Sequence, residues 1–164
     1  MDALPRVKLV TASKRGWMLD VVWADNRKSR VDLTGLIHRS RHFGAFVDDP
    51  EAFRRVAPVN YGSGIGWDNG LDYSATTLET LAEEQRPMKG KDLAAFEDKH
   101  NLNTAETAAL LEIAERTVRA YKASDVLPAT IAMSLRSLDA DPARFAAHFK
   151  PRERRSRGRP RKSA

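Results

Sequence analysis

The chain changes character at Arg86-Pro87, and this break constrains its folding more than any other feature. Before it, short runs of β-branched and aromatic residues are separated by glycine-containing turns. After it, glycine nearly disappears, alanine becomes frequent and apolar residues recur at helical spacing. The residue before a proline avoids the helical region, so no helix is expected to pass position 86. We therefore predict an α+β fold, with a small antiparallel-sheet domain over residues 1–86 and an all-α domain over residues 88–149.

The first domain is predicted to open with three strands, over residues 6–12, 17–23 and 29–33. Turn residues separate these runs at short spacing, which favours an antiparallel meander. Short helices are expected over 36–42 and 50–55, the second capped by Asp49. The glycines at 62, 64 and 66 indicate strands interrupted by a turn or bulge, and a further helix should begin at Thr76 or Thr77.

The second domain is predicted to contain four or five helices. Apolar spacing places them over 91–100, 103–111 and 114–123, with two more beginning at Pro128 and at Asp141-Pro142. Asn101 is expected to adopt a left-handed conformation where the first of them ends. Asn103 and Glu106 have the spacing of a capping box.

This helical stretch, from Met88 to about Leu138, resembles the phage-repressor class of helix-turn-helix proteins. The matching positions are apolar, small, capping or aromatic in that family, and here they are Leu93, Phe96, Leu102, Asn103, Ala108, Ile113, Val118, Tyr121 and Pro128. Two residues depart from the family pattern. Glu97 stands where a basic residue is common, and Glu112 stands where the turn usually has glycine. Because a side chain disfavours positive φ by roughly 1 kcal/mol, we expect this turn to be altered.

The resemblance implies that residues 114–123 form a recognition helix for the major groove. Glu115, Arg116 and Arg119 are then the candidates for reading bases, since arginine pairs with guanine and glutamate accepts from cytosine. Thr117 and Lys122 are better suited to phosphate. The alternative is an ordinary solvated helix face with no role in DNA binding.

The last fifteen residues hold most of the net charge. Residues 150–164 contain eight basic residues and one acid, which gives +7, whereas the whole chain carries +6. Residues 1–149 therefore sum to −1. A segment with this charge and almost no apolar residues is predicted to be disordered and to bind a polyanion, and the sequence pI of about 9.8 agrees with such a partner.

Within this tail, Arg157-Gly158-Arg159-Pro160 resembles the core of an AT-hook, and Arg161-Lys162 extends the match. Glycine permits close approach to the floor of a groove, and arginine is attracted to the narrow, negative minor groove of A·T-rich DNA. The alternative is a generic basic arm that binds phosphate. The partner is a polyanion in both cases.

The first domain resembles an uncharacterised bacterial family of small strand-rich domains, some of them fused to repressor-like domains or encoded in toxin–antitoxin-like pairs. The resemblance is carried by Trp23-Ala24-Asp25, Val31-Asp32-Leu33, Asp49-Pro50, Phe53 and the stretch 65–70. It implies no settled chemistry. Dimerisation or binding of a protein partner is the natural hypothesis.

We expect no catalytic, cofactor or metal site. The chain has no cysteine, and the glycines at 62–66 lack the spacing of a phosphate loop. His38 and His42 are four residues apart, but no third ligand is evident. Trp17, Trp23 and Trp67 are expected in the core. No apolar run reaches membrane-spanning length, so the expected location is the cytoplasm, at the nucleoid.

The sequence therefore favours a sequence-specific binder of double-stranded DNA, a dimeric bacterial transcriptional regulator. One alternative is an antitoxin-like interaction protein, whose first domain binds a partner protein while the helix-turn-helix regulates its own operon. An enzyme is the other alternative, but no set of nucleophile, base and orienting group can be named.

Overall fold

The computed structural model describes residues 4–152, which fall into two compact units divided between Arg86 and Pro87. The fold is mixed α and β. Two small antiparallel three-stranded sheets and nine α-helices lie within residues 4–152. Both sheets belong to the first unit, and the second unit is helical.

The first sheet is the predicted meander of three strands, β1 (Val7–Ala12), β2 (Met18–Trp23) and β3 (Lys28–Asp32). Both strand pairs are antiparallel. In β2 the buried residues are Leu19, Val21 and Trp23, the alternation expected of a sheet with one covered face. The sequence pattern located all three strands to within two residues.

Three short helices follow, α1 (Thr34–Arg39), α2 (Ala45–Asp48) and α3 (Pro50–Arg54). The predicted helix over 36–42 is wrong at its end, because α1 stops at Arg39 and leaves His42 beyond it. The amide of Ser40 bonds to the Leu36 carbonyl, and the backbone at Ser40 is extended. The short helix α2 was not predicted.

The second sheet contains β4 (Ala57–Val59), β5 (Gly64–Gly66) and β6 (Asp72–Ser74), followed by α4 (Ala75–Gln85). A short 3-10 helix over Asn60–Gly62 separates β4 from β5, where a turn or bulge was expected. A turn at Asp68-Asn69-Gly70 joins β5 to β6, with Gly70 at φ 83°.

Aromatic side chains fill the core of the first unit. The ring of Phe46 lies 5.1 Å from that of Trp67 and 5.6 Å from that of Phe53. Trp67 donates its indole N–H to the Phe53 carbonyl at 2.8 Å, which satisfies its polar atom. Trp23 is buried and Trp17 packs edge-on against Phe53, so all three tryptophans serve the core as predicted.

The second unit contains the five predicted helices. They are α5 (Gly90–Lys99), α6 (Thr104–Leu110), α7 (Glu115–Lys122), α8 (Ala129–Ala140) and α9 (Pro142–His148). One residue from each of α5, α7 and α8 is almost wholly buried at the centre of their shared core: Leu93, Val118 and Leu135.

Local capping sets where these helices begin. The Asn103 side chain accepts from the Glu106 amide and the Glu106 carboxylate accepts from the Asn103 amide, which is the predicted capping box. Asp141 accepts from the first amides of α9. Each of these caps satisfies N–H groups that have no partner inside the helix.

Candidate nucleic-acid interface

The helices α6 and α7 are joined by a tight turn whose hydrogen bonds are complete. The Ile113 amide donates to the Ala108 carbonyl at 2.9 Å, and the Glu112 amide donates to the Ala109 carbonyl at 3.3 Å. This pair of bonds is a Schellman motif, which requires a left-handed residue after the helix. Glu112 has that conformation, with φ 53°. The expectation of an altered turn is therefore wrong: the glycine-type geometry is kept by a glutamate.

The preceding turn, between α5 and α6, has the same construction. Asn101 is left-handed, with φ 52°, as predicted. The Leu102 amide donates to the Glu97 carbonyl at 2.8 Å, and the Asn101 amide donates to the Asp98 carbonyl at 3.2 Å. Two successive turns of one type thus determine the path from α5 to α7.

The helix α7 has one buried face and one exposed face. Val118 is fully buried, while Arg116 and Arg119 are exposed. Thr117 and Glu115 are half-buried at the edges of the exposed face. Of the predicted base-reading residues, Glu115 and Arg116 lie at the start of the helix, and Arg119 lies one turn after Glu115.

The charged residues of this face differ in their partners. Arg119 donates to the Glu115 carboxylate at 2.8 Å, a pair one turn apart in which 63 % of the Arg119 side chain and 43 % of the Glu115 side chain are exposed. Arg116 has no hydrogen-bond or ion-pair partner within residues 4–152. Arg116 is therefore free to bind a ligand, whereas Arg119 must first leave Glu115.

Lys122 has a different environment from the other predicted DNA-binding residues. Its ammonium contacts the Oε2 atom of Glu97, on α5. Glu97 is only 5 % exposed, and its Oε1 atom has no hydrogen-bond partner among the described residues. Lys122 is thus the counter-ion of a buried carboxylate.

The backbones of α5 and α7 also approach closely beside this pair. Gly90 donates its amide to the Ser124 carbonyl at 2.9 Å, and Leu127 donates to the Met88 carbonyl at 2.7 Å. A Cβ atom on Gly90 would lie 2.1 Å from the Lys122 carbonyl oxygen. Glycine at position 90 is therefore required by space, and the end of α7 is fixed to the start of α5.

The described chain ends beside the capping box of α6. The Arg152 amide donates to Glu106 Oε1 at 3.3 Å, and the Asn103 side chain donates to the Arg152 carbonyl at 3.4 Å. The predicted AT-hook residues lie outside the described residues: Arg157, Gly158, Arg159, Pro160, Arg161 and Lys162.

Sequence reasoning missed Glu97 as part of this region, although a signal was present. Glu97 follows Leu93 by four residues and adjoins Phe96, so it occupies the apolar stripe of α5. A charged residue in such a stripe needs a counter-ion from a neighbouring helix. The identity of that counter-ion depends on how α5 and α7 pack, which the spacing within α5 does not specify.

No cluster of three or more histidine, aspartate or glutamate residues suited to a metal is present in the described part of the chain. His38 lies on α1, but His42 lies past its end, so the spacing of four residues does not place them on one helix. Among residues 4–152, no helix combines the length and apolar character needed to cross a membrane.

Comparison with known proteins gives a distant likeness. No protein-family model matches the chain, and no curated protein matches it significantly. A solved structure from Nitrosomonas europaea, described as that of a candidate DNA-binding protein, aligns with a TM-score of 0.46 and 22 % identity. The alignment covers 85 % of this chain and 91 % of the other. Values this low do not establish a shared function.

Proposed function

We propose that this chain binds double-stranded DNA sequence-specifically and acts as a transcriptional regulator in the bacterial cytoplasm. In this proposal α6, the turn at Glu112 and α7 form a repressor-like helix-turn-helix. The observation that carries it is the pair of closed helix–turn junctions that leads into α7, a helix with a buried Val118 and exposed arginines. Such a helix, held on one face and charged on the other, has the form of a recognition helix.

The side chains of α7 support base reading in the major groove. Arg116, free of partners in residues 4–152, can donate two parallel hydrogen bonds to guanine. Once their pair opens, Arg119 can likewise donate to a guanine, and Glu115 can accept from a cytosine. An exposed pair of this kind contributes only about 0.3–0.5 kcal/mol, so base contacts can displace it. Thr117 would contact a phosphate of the DNA backbone.

The tail supports a polyanionic partner independently of the helices. Residues 1–149 carry a net charge of −1, so the +7 of residues 150–164 would supply much of the salt-dependent affinity. We propose that its Arg157-Gly158-Arg159-Pro160 segment binds the minor groove of A·T-rich DNA. Repressor-type proteins bind paired half-sites as dimers, and we extend that arrangement to this chain.

Selection of bound sites from random duplex DNA tests the proposal. The wild-type protein should enrich a defined site, and Arg116→Ala or Arg119→Ala should each relax the preference for one base pair by about 1–3 kcal/mol. Arg39→Ala, which removes an exposed arginine from α1, is the matched control and should leave the enriched site unchanged. If the wild-type protein enriches no site, sequence-specific recognition is excluded. If both α7 variants enrich the wild-type site, α7 does not read bases.

A second candidate function is an antitoxin-like role in which the first unit binds a partner protein. The observation that favours it is Tyr61, which is 96 % exposed and held at φ 58° between Asn60 at φ 50° and Gly62 at φ 82°. Strained backbone that presents an aromatic side chain to solvent is typical of binding surfaces. Co-expression with a small protein encoded next to this gene should give a complex that Tyr61→Ala weakens. A complex that tolerates this substitution would remove Tyr61 from the interface.

A further inference from the structure

We propose that Lys122 is a positioning residue that fixes α7 through Glu97, and that it does not bind phosphate. This inference rests on the proposed DNA-binding function and refines it. It concerns one of the residues that sequence alone assigns to the phosphate backbone. The geometry of the Glu97–Lys122 pair carries it.

The first step is the burial of the carboxylate. Glu97 is 5 % exposed, and the ammonium of Lys122 is the charge that compensates it. One carboxylate oxygen, Oε1, already has no partner in the described part of the chain. Moving Lys122 to a phosphate would leave both oxygens of a buried anion unsatisfied. Such a state is strongly unfavourable, because an uncompensated charge in the interior has lost its hydration.

The second step is the place of the pair in α7. Lys122 is the last residue of the helix, and its carbonyl faces Gly90 at a distance that excludes a side chain there. The bonds from Gly90 to Ser124 and from Leu127 to Met88 tie the following residues to the start of α5. The ion pair between Glu97 and Lys122 thus adds a side-chain contact to the backbone hydrogen bonds that join the end of α7 to the start of α5.

The third step is the effect on recognition. Arg116 lies six residues before Lys122. A tilt of α7 about the end that Lys122 fixes therefore displaces Arg116 more than it displaces residues close to that end. Bidentate contacts tolerate little displacement, since both hydrogen bonds depend on the orientation of one planar group. The junction therefore determines whether Arg116 and Arg119 reach the bases in register.

The Glu97→Gln variant distinguishes a positioning role of Lys122 from a phosphate contact, because the two roles predict opposite changes in duplex affinity. This variant keeps the shape of the side chain and releases Lys122 from its counter-ion. If Lys122 positions α7, duplex affinity for the selected site should fall by about tenfold, the order found for coupling within one ion-pair network. The slope of log affinity against log salt should not change. If Lys122 binds phosphate, Glu97→Gln should instead raise the duplex affinity, because the ammonium no longer has to leave a buried carboxylate.

Two further variants and a control complete the test. Lys122→Met should reduce affinity for the selected site without changing the salt slope, whereas loss of a phosphate contact would flatten the slope by about 0.9. The double variant Glu97→Lys, Lys122→Glu exchanges the two charges, and it should recover most of the duplex affinity that Glu97→Gln and Lys122→Met lose. Lys99→Met breaks an exposed pair between α5 and Asp139 and should change neither quantity. Circular dichroism confirms that each variant is folded, and Glu97→Gln carries the comparison if Lys122→Met is not.

The outcomes separate this inference from the function on which it rests. A wild-type protein that selects no duplex site contradicts the proposed function. A wild-type protein that selects a site, with a Glu97→Gln variant of equal or higher affinity, contradicts only the positioning role. Reduced affinity, an unchanged slope and recovery on charge exchange together support it.

Discussion

At the scale of single residues, Glu112 shows that a turn can require glycine geometry without glycine. Both bonds of the Schellman motif form, and the left-handed conformation is retained at φ 53°. The sequence indicated that a side chain at position 112 is unfavourable in this turn, but it did not predict that the left-handed conformation forms with glutamate. The packing of Val118 and the closed turn on the other side of α6 outweigh a local penalty of about 1 kcal/mol.

Replacing Glu112 with glycine should therefore stabilise the protein. We expect Glu112→Gly to raise the free energy of unfolding by up to about 1 kcal/mol, since relief of strain exceeds the entropy that glycine adds to the unfolded chain. Glu112→Ala, which keeps a Cβ atom, should give no such gain. Urea denaturation of the three proteins measures the difference. Equal stability of the glycine and alanine variants would show that the left-handed backbone carries no strain.

Asp139 offers a test of pH dependence at one residue. Its carboxylate accepts from Lys99 at 2.6 Å and from the His100 ring at 2.9 Å, and these bonds hold the pKa of Asp139 below its usual range. A carboxylate whose pKa is lowered by folding adds stability that is present above its unfolded pKa and is lost as pH falls through its folded pKa.

The Asp139→Asn variant should accordingly be less stable than the wild type near pH 5, by no more than about 1 kcal/mol because the pair is partly exposed. The difference should shrink as pH falls below about 4, where the carboxyl of the unfolded chain becomes protonated, and should be lost below the lowered pKa of the folded carboxyl. Denaturation curves at several acidic pH values measure it. A difference that stays constant down to pH of about 2 would exclude an electrostatic origin.

At the scale of elements, α6 and α7 differ in how their N-termini are capped. The α6 helix has a complete capping box, whereas α7 begins after Ala114, whose backbone is extended but whose side chain cannot accept a hydrogen bond. The start of the proposed recognition helix is therefore held by its turn and by packing. Its first amides have no side-chain cap.

Providing that cap should stabilise α7. Ala114→Ser is expected to raise the free energy of unfolding by about 1 kcal/mol, because serine is among the best N-cap residues. Ala120→Ser, on the exposed middle of the same helix, is the control and should lower stability by about 0.5 kcal/mol. Thermal and urea unfolding distinguish the two. If both serines act alike, the first amides of α7 gain nothing from a cap.

The elements also show why some of the fold was predictable. The long strands β1 and β2 and the helices of the second unit have periodic apolar residues and recognisable caps, which are local properties. The helix α2 has four residues and β6 has three, too few to show a period. They form because Phe46 and Tyr73 pack against the aromatic core, and this packing is a tertiary effect.

At the scale of the whole molecule, charge is divided unequally along the chain. The tail of residues 150–164 carries +7, while the remainder is nearly neutral. In the proposed function the helices supply the choice of site and the tail supplies general affinity. This division can be tested by removing the tail.

A protein that ends at residue 149 should bind all duplexes more weakly and with a lower salt slope, because each lost phosphate contact lowers the slope by about 0.9. Arg159→Ala in the full chain should reduce binding to A·T-rich sites more than to G·C-rich ones. Fluorescence anisotropy over a salt series measures both effects. Unchanged binding by the truncated protein would remove the tail from the interface, and equal losses for Arg159→Ala would indicate a generic basic arm.

The sequence by itself determined the break at Arg86-Pro87, the meander, the caps of α6 and α9 and the concentration of charge in the tail. These features depend on neighbouring residues, on their spacing or on composition. Only the tertiary structure decided that Glu112 retains a left-handed turn, that Gly90 has no room for a side chain and that Lys122 faces Glu97. The contacts of Gly90 and Lys122 join residues far apart in the chain, and the energy of a buried charge or a close backbone contact exists only once the helices have packed.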